Sequence, residues 1–337
     1  MVGCFFIFLV SCLTGKGGFI KGIIIRIESK DYYVSPLEGD KSIRCSLRGK
    51  FKKEFGLKKD KLYQTDFAAI GDYVEINMNN DGTGVINSIE GRRNYVSRKS
   101  PRIKGAGFRG ERLEQIVAAN INKLIIVSSV AEPEFNNKVI DRFIAAGESS
   151  QINIIIIINK IDLKIDNSID EWIKLYQDIG YTTIESSVVS AEGLEKIKDE
   201  LKGNKNLLWG HSGVGKSSLL NRIYTDLNLN VGEISSYTDK GTHTTVTSTM
   251  LKVEDDTYII DTPGIREIVP FGISNEDLSH YFIEFLPYLQ RCHFNRCTHN
   301  HEPDCAVIEA VEDGEISMER YESYLRILET IEEDIIY

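Results

Sequence analysis

Proline, tryptophan and long apolar runs are scarce in this chain of 337 residues. It has seven prolines and two tryptophans, and no segment reaches the roughly 20 apolar residues of a membrane-spanning helix. Residues 1–18 have an apolar core, yet no Lys or Arg precedes it, as one normally does in a secretory signal. We interpret residues 1–18 as an extension of doubtful origin. The alternative is a lipoprotein signal with a lipid anchor at Cys12.

The cysteine pattern does not indicate a disulfide framework. Of the six cysteines, three are scattered through the first 45 residues, whereas Cys292, Cys297 and Cys305 lie close together among histidines. Such a cluster is typical of a metal site in a reducing compartment.

An overall positive charge is also absent, since the formal net charge is -10. The charge is unevenly distributed, however, because residues 41–61 and 92–112 are both rich in Lys and Arg and poor in Asp and Glu. A phosphate backbone responds to local clusters of charge rather than to the net charge. We therefore expect RNA as a partner, with two solvated basic faces as the alternative.

Short apolar or alternating runs, separated by turn residues, occupy residues 19–95. Five of them predict strands: GIIIRIES, DYYVSPL, SIRCSLRG, DYVEINM and GVINSIE. Residues 79–84 have the composition of a hairpin turn. Five short strands fit a small Greek-key barrel of the OB type, with an SH3-like barrel as the alternative. We expect residues 19–95 to bind RNA, with the basic residues 41–61 on the loops of the barrel.

The rest of the chain divides by its pattern into three parts. Residues 96–112 are predicted to be a basic connector. In residues 113–272 strand-like and helix-like runs alternate, which predicts a doubly wound α/β sheet. Residues 273–337 are predicted to be helical around the Cys/His cluster.

The segment GHSGVGKS, residues 210–217, follows a strand-like run and precedes a helix-like run. Its glycines let backbone N–H groups surround phosphates, and the following helix N-terminus adds positive charge. We expect Lys216 to contact the β- and γ-phosphates and Ser217 to bind Mg²⁺. The motif alone does not distinguish ATP from GTP. The nucleotide contacts predicted for this segment are Gly210, Ser212, Gly213, Val214, Gly215, Lys216, Ser217 and Ser218.

Asn159, Lys160 and Asp162 form an N-K-x-D motif at the end of a predicted strand, which indicates guanine. A carboxylate at Asp162 accepts hydrogen bonds from guanine N1–H and N2–H₂, whereas adenine leaves it unpaired at a cost of ~1–3 kcal/mol or more. Asn159 is suited to brace the neighbouring loops, and the stem of Lys160 to cover the base. Ser190 and Ala191 follow another strand and fit a second base-contacting loop through backbone N–H groups.

Two further loops have the composition of nucleotide-dependent switches. The segment DTPG follows a strand, with Asp261 suited to hold Mg²⁺ through water and the Gly264 N–H suited to contact the γ-phosphate. Upstream, GTHTT supplies Thr245 as a predicted ligand of Mg²⁺ and γ-phosphate, with Thr244 as the alternative.

One residue after DTPG affects the expected rate. Ile265 occupies the position at which a Ras-like switch has a water-positioning Gln. We therefore expect slow intrinsic hydrolysis unless another group supplies that function. His243 is a candidate catalytic group, with a structural or partner-contacting role as the alternative.

The order of these motifs along the chain is base reader, second base loop, phosphate loop, first switch and second switch. In an ordinary guanine-nucleotide switch the phosphate loop comes first. The order predicts a circular permutation, in which the sheet keeps its geometry while the termini of the domain move.

Cys292, Cys297, His299 and Cys305 supply three thiolates and an imidazole. This set suits one tetrahedral Zn²⁺ in a structural site, because it leaves no open position for catalysis. His293 and His301 are the alternatives to His299.

The sequence resembles the small ribosomal subunit biogenesis GTPase A family, the circularly permuted GTPases that depend on the small ribosomal subunit. The resemblance covers nearly everything from Phe19 onward and rests on these segments: GHSGVGKSSLLN, NKID, GTHTT, DTPGIRE and the C-x4-C-x-H-x5-C cluster followed by Ala-Val. It implies an N-terminal OB domain, a permuted GTPase and a C-terminal zinc domain. The histidine matching His243 is implicated in hydrolysis in that family, and Thr242 stands where the family often has Arg.

The resemblance implies a cytoplasmic, monomeric GTP hydrolase. It would bind the 30S subunit and 16S rRNA late in maturation, and leave after subunit-stimulated hydrolysis. The alternatives are an ATPase or nucleotide kinase, a non-catalytic GDP- or GTP-binding scaffold, and a lipid-anchored envelope protein.

Overall fold

A computed structural model of the chain describes residues 19–28, 30–39, 41–49, 68–99, 114–225, 227, 249–261 and 273–336. No helix in this part of the chain is long and apolar enough to cross a membrane. The questions raised by residues 1–18 and by most of the basic stretch 41–61 lie outside the described residues.

Five strands close into a barrel at the N-terminal end. They are β1 (Ile20–Glu28), β2 (Asp31–Pro36), β3 (Ile43–Leu47), β4 (Tyr73–Met78) and β5 (Gly84–Ile89). Their order is β1-β2-β3-β5-β4, and β4 pairs back onto β1. The interior is filled by apolar side chains that alternate along the strands, including Ile24, Val34, Ile76 and Ile86. The five predicted strands and their closure into a barrel are confirmed.

A two-stranded antiparallel ribbon follows the barrel, formed by β6 (Tyr95–Lys99) and β7 (Glu114–Ala119). The first residues of the predicted connector, 96–99, therefore belong to a strand. Val96 is buried while its neighbours Ser97 and Arg98 are only partly buried, so this short strand shows little apolar character in sequence. Its partner, the apolar β7, stabilises it by pairing.

The central sheet consists of parallel strands in the order β10-β9-β8-β11-β13, with β12 added antiparallel to β13. The strands are β8 (Lys123–Ser129), β9 (Asn153–Asn159), β10 (Thr182–Ser186), β11 (Lys205–Trp209), β12 (Thr249–Glu254) and β13 (Thr257–Asp261). The helices between them are α1 (Asn137–Ser149), α2 (Ser168–Ile179), α3 (Leu194–Leu201) and α4 (Lys216–Ile223). The predicted α/β sheet is confirmed.

Both faces of this sheet are covered by helices. On one face, Ile126 and Ile156 pack in a cluster with Phe143 of α1 and Tyr176 of α2. On the other face, alternate residues of the same strands pack against α3 and α4, among them Ile125, Ile155, Leu194 and Leu219. Burial on both sides explains why the sequence of β9 is almost entirely isoleucine, since alternation is lost when both faces are apolar.

The barrel and the central sheet are joined edge to edge. β1 pairs antiparallel with β12, with Arg26 opposite Thr249. A side-chain contact also joins them. Lys205, the first residue of β11 in the central sheet, places its Nζ 3.9 Å from the centre of the ring of Tyr73 in barrel strand β4. The eleven strands β1–β5 and β8–β13 thus form one hydrogen-bonded sheet.

The C-terminal segment is helical, as predicted. It contains 3₁₀ turns at Leu278–Tyr281 and Ile283–Phe285 and the helices α5 (Leu286–Leu289), α6 (Ala306–Glu312) and α7 (Met318–Ile336). Its core is built on the aromatic residues Phe282, Phe285 and Tyr324.

A buried ion-pair network attaches this segment to the central domain. Arg320 of α7 is fully buried and donates from Nη1 to Asp141 Oδ1 of α1 at 2.6 Å and from Nε to Glu284 Oε1 at 2.6 Å. The hydroxyl of Tyr176 donates to the same Asp141 oxygen at 2.8 Å. The network therefore ties α1, α2 and α7 together in the interior.

Candidate nucleotide site and metal centre

The described nucleotide motifs meet at the carboxyl edge of the parallel sheet. Asn159 is the last residue of β9, the phosphate loop follows β11, and Asp261 ends β13. Register places Leu208 beside Asp261 and Trp209 beside Ile126 of β8. Ligands bind at this edge in open α/β sheets, so the fold brings together motifs that lie far apart in the chain.

Two glycines of the phosphate loop are required by its close packing. Gly210 has φ 155°, and a Cβ there would lie 2.2 Å from the carbonyl oxygen of Val127. Gly215 has φ 98°, and a Cβ there would lie 2.3 Å from Asn159 Nδ2. Any larger residue would push the loop away from the strand ends. The glycines thus set the shape of the loop as well as its access to phosphates.

The remaining residues of the loop differ in exposure. Ser212 and Gly213 are exposed at the crest of the loop, Val214 is buried in the core, and Ser217 is buried in the first turn of α4. Ser218 is half-buried on the same turn. The exposed crest and the helix N-terminus together form an anion-binding surface.

Lys216 lies inside the curl of the phosphate loop. Its Nζ donates to the carbonyl oxygens of Gly210 at 2.6 Å and His211 at 2.9 Å. Burial lowers the pKa of Lys216, and the negative charge of Asp261 partly offsets that effect. The ammonium is thus held by neutral carbonyls at the place where the motif requires a cation for phosphate.

Asn159 connects three segments of the site. It is buried, its Nδ2 donates to the Val214 carbonyl at 2.8 Å, and its Oδ1 accepts from Ser186 Oγ at 3.2 Å. The base reader, the phosphate loop and the end of β10 are therefore braced by a single side chain. Lys160 is in the left-handed region at φ 62°, and its Nζ donates to the carbonyl of Glu132.

Asp162 is held by a serine that the sequence analysis missed. Asp162 lies in the 3₁₀ turn Ile161–Leu163 and accepts a hydrogen bond from Ser187 Oγ. Ser187 is fully buried, and its Oγ accepts from the backbone N–H groups of Val189 and Ser190, both at 3.1 Å. The pair of serines ending TTIESS was the available signal, since a buried hydroxyl at a strand end needs a partner.

The second predicted base loop is more exposed than its neighbour Ser187. Ser190 and Ala191 are both exposed, and the Ser190 N–H bonds to Ser187 Oγ. Contact of these two residues with the base remains a prediction. The switch residues Thr242, His243, Thr244, Thr245, Gly264 and Ile265 lie outside the described residues.

The four predicted metal ligands converge in the C-terminal segment. One ligand atom from each of Cys292, Cys297, His299 and Cys305 lies within 4.8 Å of all the others. The Nδ1 of His299 is 3.6 Å from Cys292 Sγ and 3.3 Å from Cys305 Sγ. Three sulfurs and one imidazole nitrogen at such spacing fit a tetrahedral metal ion.

The structure distinguishes His299 from its two alternatives. His299 is buried at 3 % exposure, whereas the ring of His293 packs against Phe294 and His301 is exposed. Burial raises the pKa of the Cys297 and Cys305 thiols and lowers the pKa of His299. Thiolates at such a place need a cation to stabilise them, which is consistent with the donor set.

Hydrogen bonds fix the loop that carries these ligands. Tyr321 and Tyr324 of α7 donate to the carbonyls of His299 at 2.7 Å and Thr298 at 2.6 Å. Glu302 accepts from the N–H and hydroxyl of Thr298. Although its burial acts in the opposite direction, these bonds lower the pKa of Glu302 to about 2. The ligand loop is thus shaped by α7 and by the partly buried carboxylate of Glu302.

Comparison with known proteins agrees with this geometry. The RsgA GTPase family model matches residues 89–269, and the RsgA N-terminal domain model matches residues 21–86. The chain belongs to the RsgA GTPase family.

Individual relatives extend the family match over nearly the whole chain. The "Small ribosomal subunit biogenesis GTPase RsgA 2" of Bacteroides thetaiotaomicron is 39 % identical over 317 residues, covering 93 % of this chain and 98 % of its own length. The RsgA protein of Chlorobaculum tepidum is 35 % identical over 319 residues, covering 93 % of this chain and 99 % of its own.

Solved structures give the same assignment. The crystal structure of YjeQ from Thermotoga maritima matches with a TM-score of 0.72 and 33 % identity, covering 93 % of this chain and 99 % of that one. YloQ, described as a circularly permuted GTPase, matches with a TM-score of 0.67 and 28 % identity, covering 95 % of this chain and 98 % of that one. The predicted circular permutation and the predicted GTPase are confirmed, and an RsgA-family GTPase uses guanine nucleotide with Mg²⁺.

Proposed function

We propose that this RsgA-family chain is a GTP hydrolase that acts as a late-stage maturation factor of the 30S ribosomal subunit. The observation that carries the proposal is the meeting of the described nucleotide motifs at one sheet edge, in a chain 39 % identical to a named small-subunit biogenesis GTPase. We place its action in the cytoplasm, as a monomer that contacts the subunit and its 16S rRNA.

Guanine recognition rests on Asp162, which Ser187 holds in place while leaving a carboxylate oxygen for the base. Asn159 keeps the base side and the phosphate side of the site at a fixed separation through its bond to Val214. Lys160 covers the base with its stem. Ser190 and Ala191 complete the base loop.

The phosphates bind at the loop of residues 210–217. Lys216 exchanges its two carbonyl partners for β- and γ-phosphate oxygens, which the lysine of such a loop contacts. Ser217 and Thr245 are the proposed ligands of Mg²⁺, with Asp261 acting through water; the bound ion would supply positive charge beside the phosphates. Gly264 contacts the γ-phosphate, and His243 is the proposed catalytic group.

We assign four functional regions to the chain. The barrel, residues 19–95, and the basic segment 96–112 contact rRNA. Residues 113–272 form the permuted GTPase. Residues 273–337 form the zinc domain, in which Cys292, Cys297, His299 and Cys305 hold one structural Zn²⁺. The protein binds the subunit with GTP and leaves after subunit-stimulated hydrolysis.

One sequence feature favours a second candidate. Ile265 replaces the water-positioning Gln of a Ras-like switch. A non-catalytic GDP- or GTP-binding scaffold on RNA would need no such group, so that candidate predicts no turnover under any condition.

Hydrolysis assays distinguish the two candidates. GTP turnover is measured with the protein alone, with purified 30S subunits and with 50S subunits as the control. The proposal predicts slow turnover alone and strong stimulation by 30S subunits only. Turnover that neither subunit changes would remove the ribosome from the proposal, and absence of turnover in every sample would favour the scaffold.

A further inference from the structure

A second cavity lies far from the nucleotide motifs, where the three parts of the chain meet. Its volume is about 440 Å³, within the range of roughly 300–1,000 Å³ that is usual for ligand sites. One wall comes from the end of the barrel and the root of the β6–β7 ribbon, with Arg93, Tyr95 and Glu114. The opposite wall comes from the C-terminal end of α1 and from Tyr281. We call it the junction cavity.

The walls of the junction cavity combine aromatic rings with groups that form hydrogen bonds. Tyr95 is 37 % exposed, and Tyr281 is half-buried. Glu114 is buried and lines the cavity, and Gln151 is exposed beyond the end of α1. Planar rings stack on a nucleobase, and a carboxylate and an amide bind to the donors and acceptors of a base edge.

Of the two arginines that line the cavity, Arg92 is held in a shielded ion pair and Arg93 is exposed. Arg92 is paired with Asp72 at 2.7 Å, where both side chains are shielded from solvent. Arg93 is exposed, and among the described residues its guanidinium donates one hydrogen bond, to the Ile121 carbonyl at 2.9 Å. The remaining donors of a guanidinium fork suit a phosphate.

The charge beside the cavity indicates a polymer rather than a free nucleotide. The ribbon carries Arg98 and Lys99, and the chain that joins its strands adds Arg102, Lys104, Arg109 and Arg112 against Glu111. In a protein of net charge -10 this stretch of the sequence is a local excess of positive charge. A run of basic residues in the sequence favours a phosphate backbone as the partner, whereas one nucleotide needs a single compact cradle.

We propose that the junction cavity binds one unpaired nucleotide of a single-stranded RNA. The ring of Tyr95 stacks on the base, Glu114 and Gln151 contact the base edge, and Arg93 contacts the adjacent phosphate. The neighbouring backbone continues along the ribbon.

Helix α1 connects the junction cavity with the base-reading end of the nucleotide site. The far wall of the cavity is the C-terminal end of α1 (Asn137–Ser149). The N-terminal end of α1 follows a loop that contains Glu132. The carbonyl of Glu132 accepts a hydrogen bond from Lys160 Nζ. A nucleotide in the cavity therefore touches the helix whose opposite end lies beside the base reader.

The test measures binding of fluorescein-labelled single-stranded RNA of 12 nucleotides to the full chain at fixed salt. Tyr95→Ala is expected to weaken binding by about 5- to 100-fold, the usual range for loss of one stacked base. Tyr95→Phe keeps the ring and is expected to bind as the wild type does. Arg93→Gln is expected to lower the slope of affinity against salt by about one charge.

Tyr288→Ala is the matched control, because Tyr288 lies outside the cavity with Arg291 5.5 Å from its ring centre. It is expected to leave RNA affinity unchanged. If Tyr95→Ala unfolds, Gln151→Glu tests the cavity from the opposite wall by adding negative charge at an exposed position, and it is expected to weaken binding.

Two results would overturn the proposal. One is wild-type RNA affinity in both Tyr95→Ala and Gln151→Glu. The other is binding of polyglutamate that Tyr95→Ala weakens while RNA binding is unaffected, which would make an acidic protein segment the occupant. Because the assay uses free RNA, its failure would leave subunit-stimulated GTP hydrolysis as a separate question.

Discussion

The nucleotide site and the metal centre differ in how far their polar groups are exposed to solvent. At the nucleotide site Asp162, Ser212 and Gly213 are exposed, and the groups that face a ligand are bonded to one another. At the metal centre Cys297, His299 and Cys305 are all less than 9 % exposed, and with Cys292 they bring four ligand atoms within 4.8 Å of one another. The first arrangement lets a ligand enter and leave, whereas the second suits an ion that is bound once, on folding.

The largest effect is expected from removing a metal ligand. Cys297→Ser leaves a buried set of donors incomplete, so we expect loss of bound zinc and unfolding of the C-terminal segment. Metal content per chain and thermal unfolding measure both. Cys45→Ala is the control, since Cys45 is buried in the barrel away from the cluster. A metal-free Cys297→Ser protein with wild-type thermal stability would show that the centre has no structural role.

The next effect concerns the contact that joins the two regions. Arg320→Met leaves Asp141 and Glu284 buried without their cation, at a cost of about 3–5 kcal/mol in the free energy of unfolding. Lys174→Met is the matched control, because Lys174 and Asp178 form an exposed pair whose loss costs at most about 1 kcal/mol. Denaturant unfolding measures both variants. Equal effects would mean that the network contributes nothing beyond a surface ion pair.

Lys205 is another buried charged group, and we expect a smaller effect from it than from Arg320. Its ammonium lies over the ring of Tyr73. Burial, aided by the charge of Arg93 and opposed by that of Asp72, lowers the pKa of Lys205 to about 8. Between pH 8 and 10.5 the unfolded chain therefore binds more protons at this residue than the folded chain does. This contribution to stability rises with pH over that window, by the order of 2 kcal/mol after solvent screening.

Comparison with Lys205→Met isolates this contribution, because other groups that titrate in the same window are common to both proteins. We expect the difference in unfolding free energy between wild type and variant to change with pH from 8 to 10.5. A difference that is constant over the window would contradict the burial argument.

The smallest effect is expected at the nucleotide site, from the hydrogen bond between Ser187 and Asp162. Ser187→Ala removes the hydrogen bond that orients Asp162, which costs ~1 kcal/mol or about a fivefold loss of GTP affinity. ATP binding should change little, whereas thermal stability should fall somewhat because the Val189 and Ser190 N–H groups lose their acceptor. Ser190→Ala is the control, since Ser190 takes part in this network through its backbone N–H alone. Equal losses in the two variants would assign the effect to the loop rather than to the hydroxyl.

The sequence predicted whatever depends on local chemistry with a fixed spacing. The glycines of the phosphate loop, Asn159 at the end of an apolar strand, and the cysteine spacing each encode a local geometry, and the parallel sheet then gathers the first two. Strand β9 was predictable because burial on both faces demands a continuous apolar run.

What could not be predicted depends on tertiary contacts. Arg320 lies in MERYESYLRIL, a charged helix in which nothing marks one arginine as buried. Ser187 orients Asp162 by a hydrogen bond, and the two residues are 25 positions apart in the sequence. Strand β6 is polar and exists because β7 pairs with it. In each case the partner, rather than the local pattern, decides the structure.

The central claim is that motifs in permuted order form one guanine site. The most direct test compares binding of fluorescent GTP and xanthosine triphosphate to the wild type and to Asp162→Asn. The account predicts tight GTP binding by the wild type and a shift toward the xanthine nucleotide in the variant, because an asparagine amide donates to the xanthine 2-carbonyl where Asp162 accepts from guanine. Unchanged preference for GTP in Asp162→Asn would show that Asp162 does not read the base, and would contradict the account.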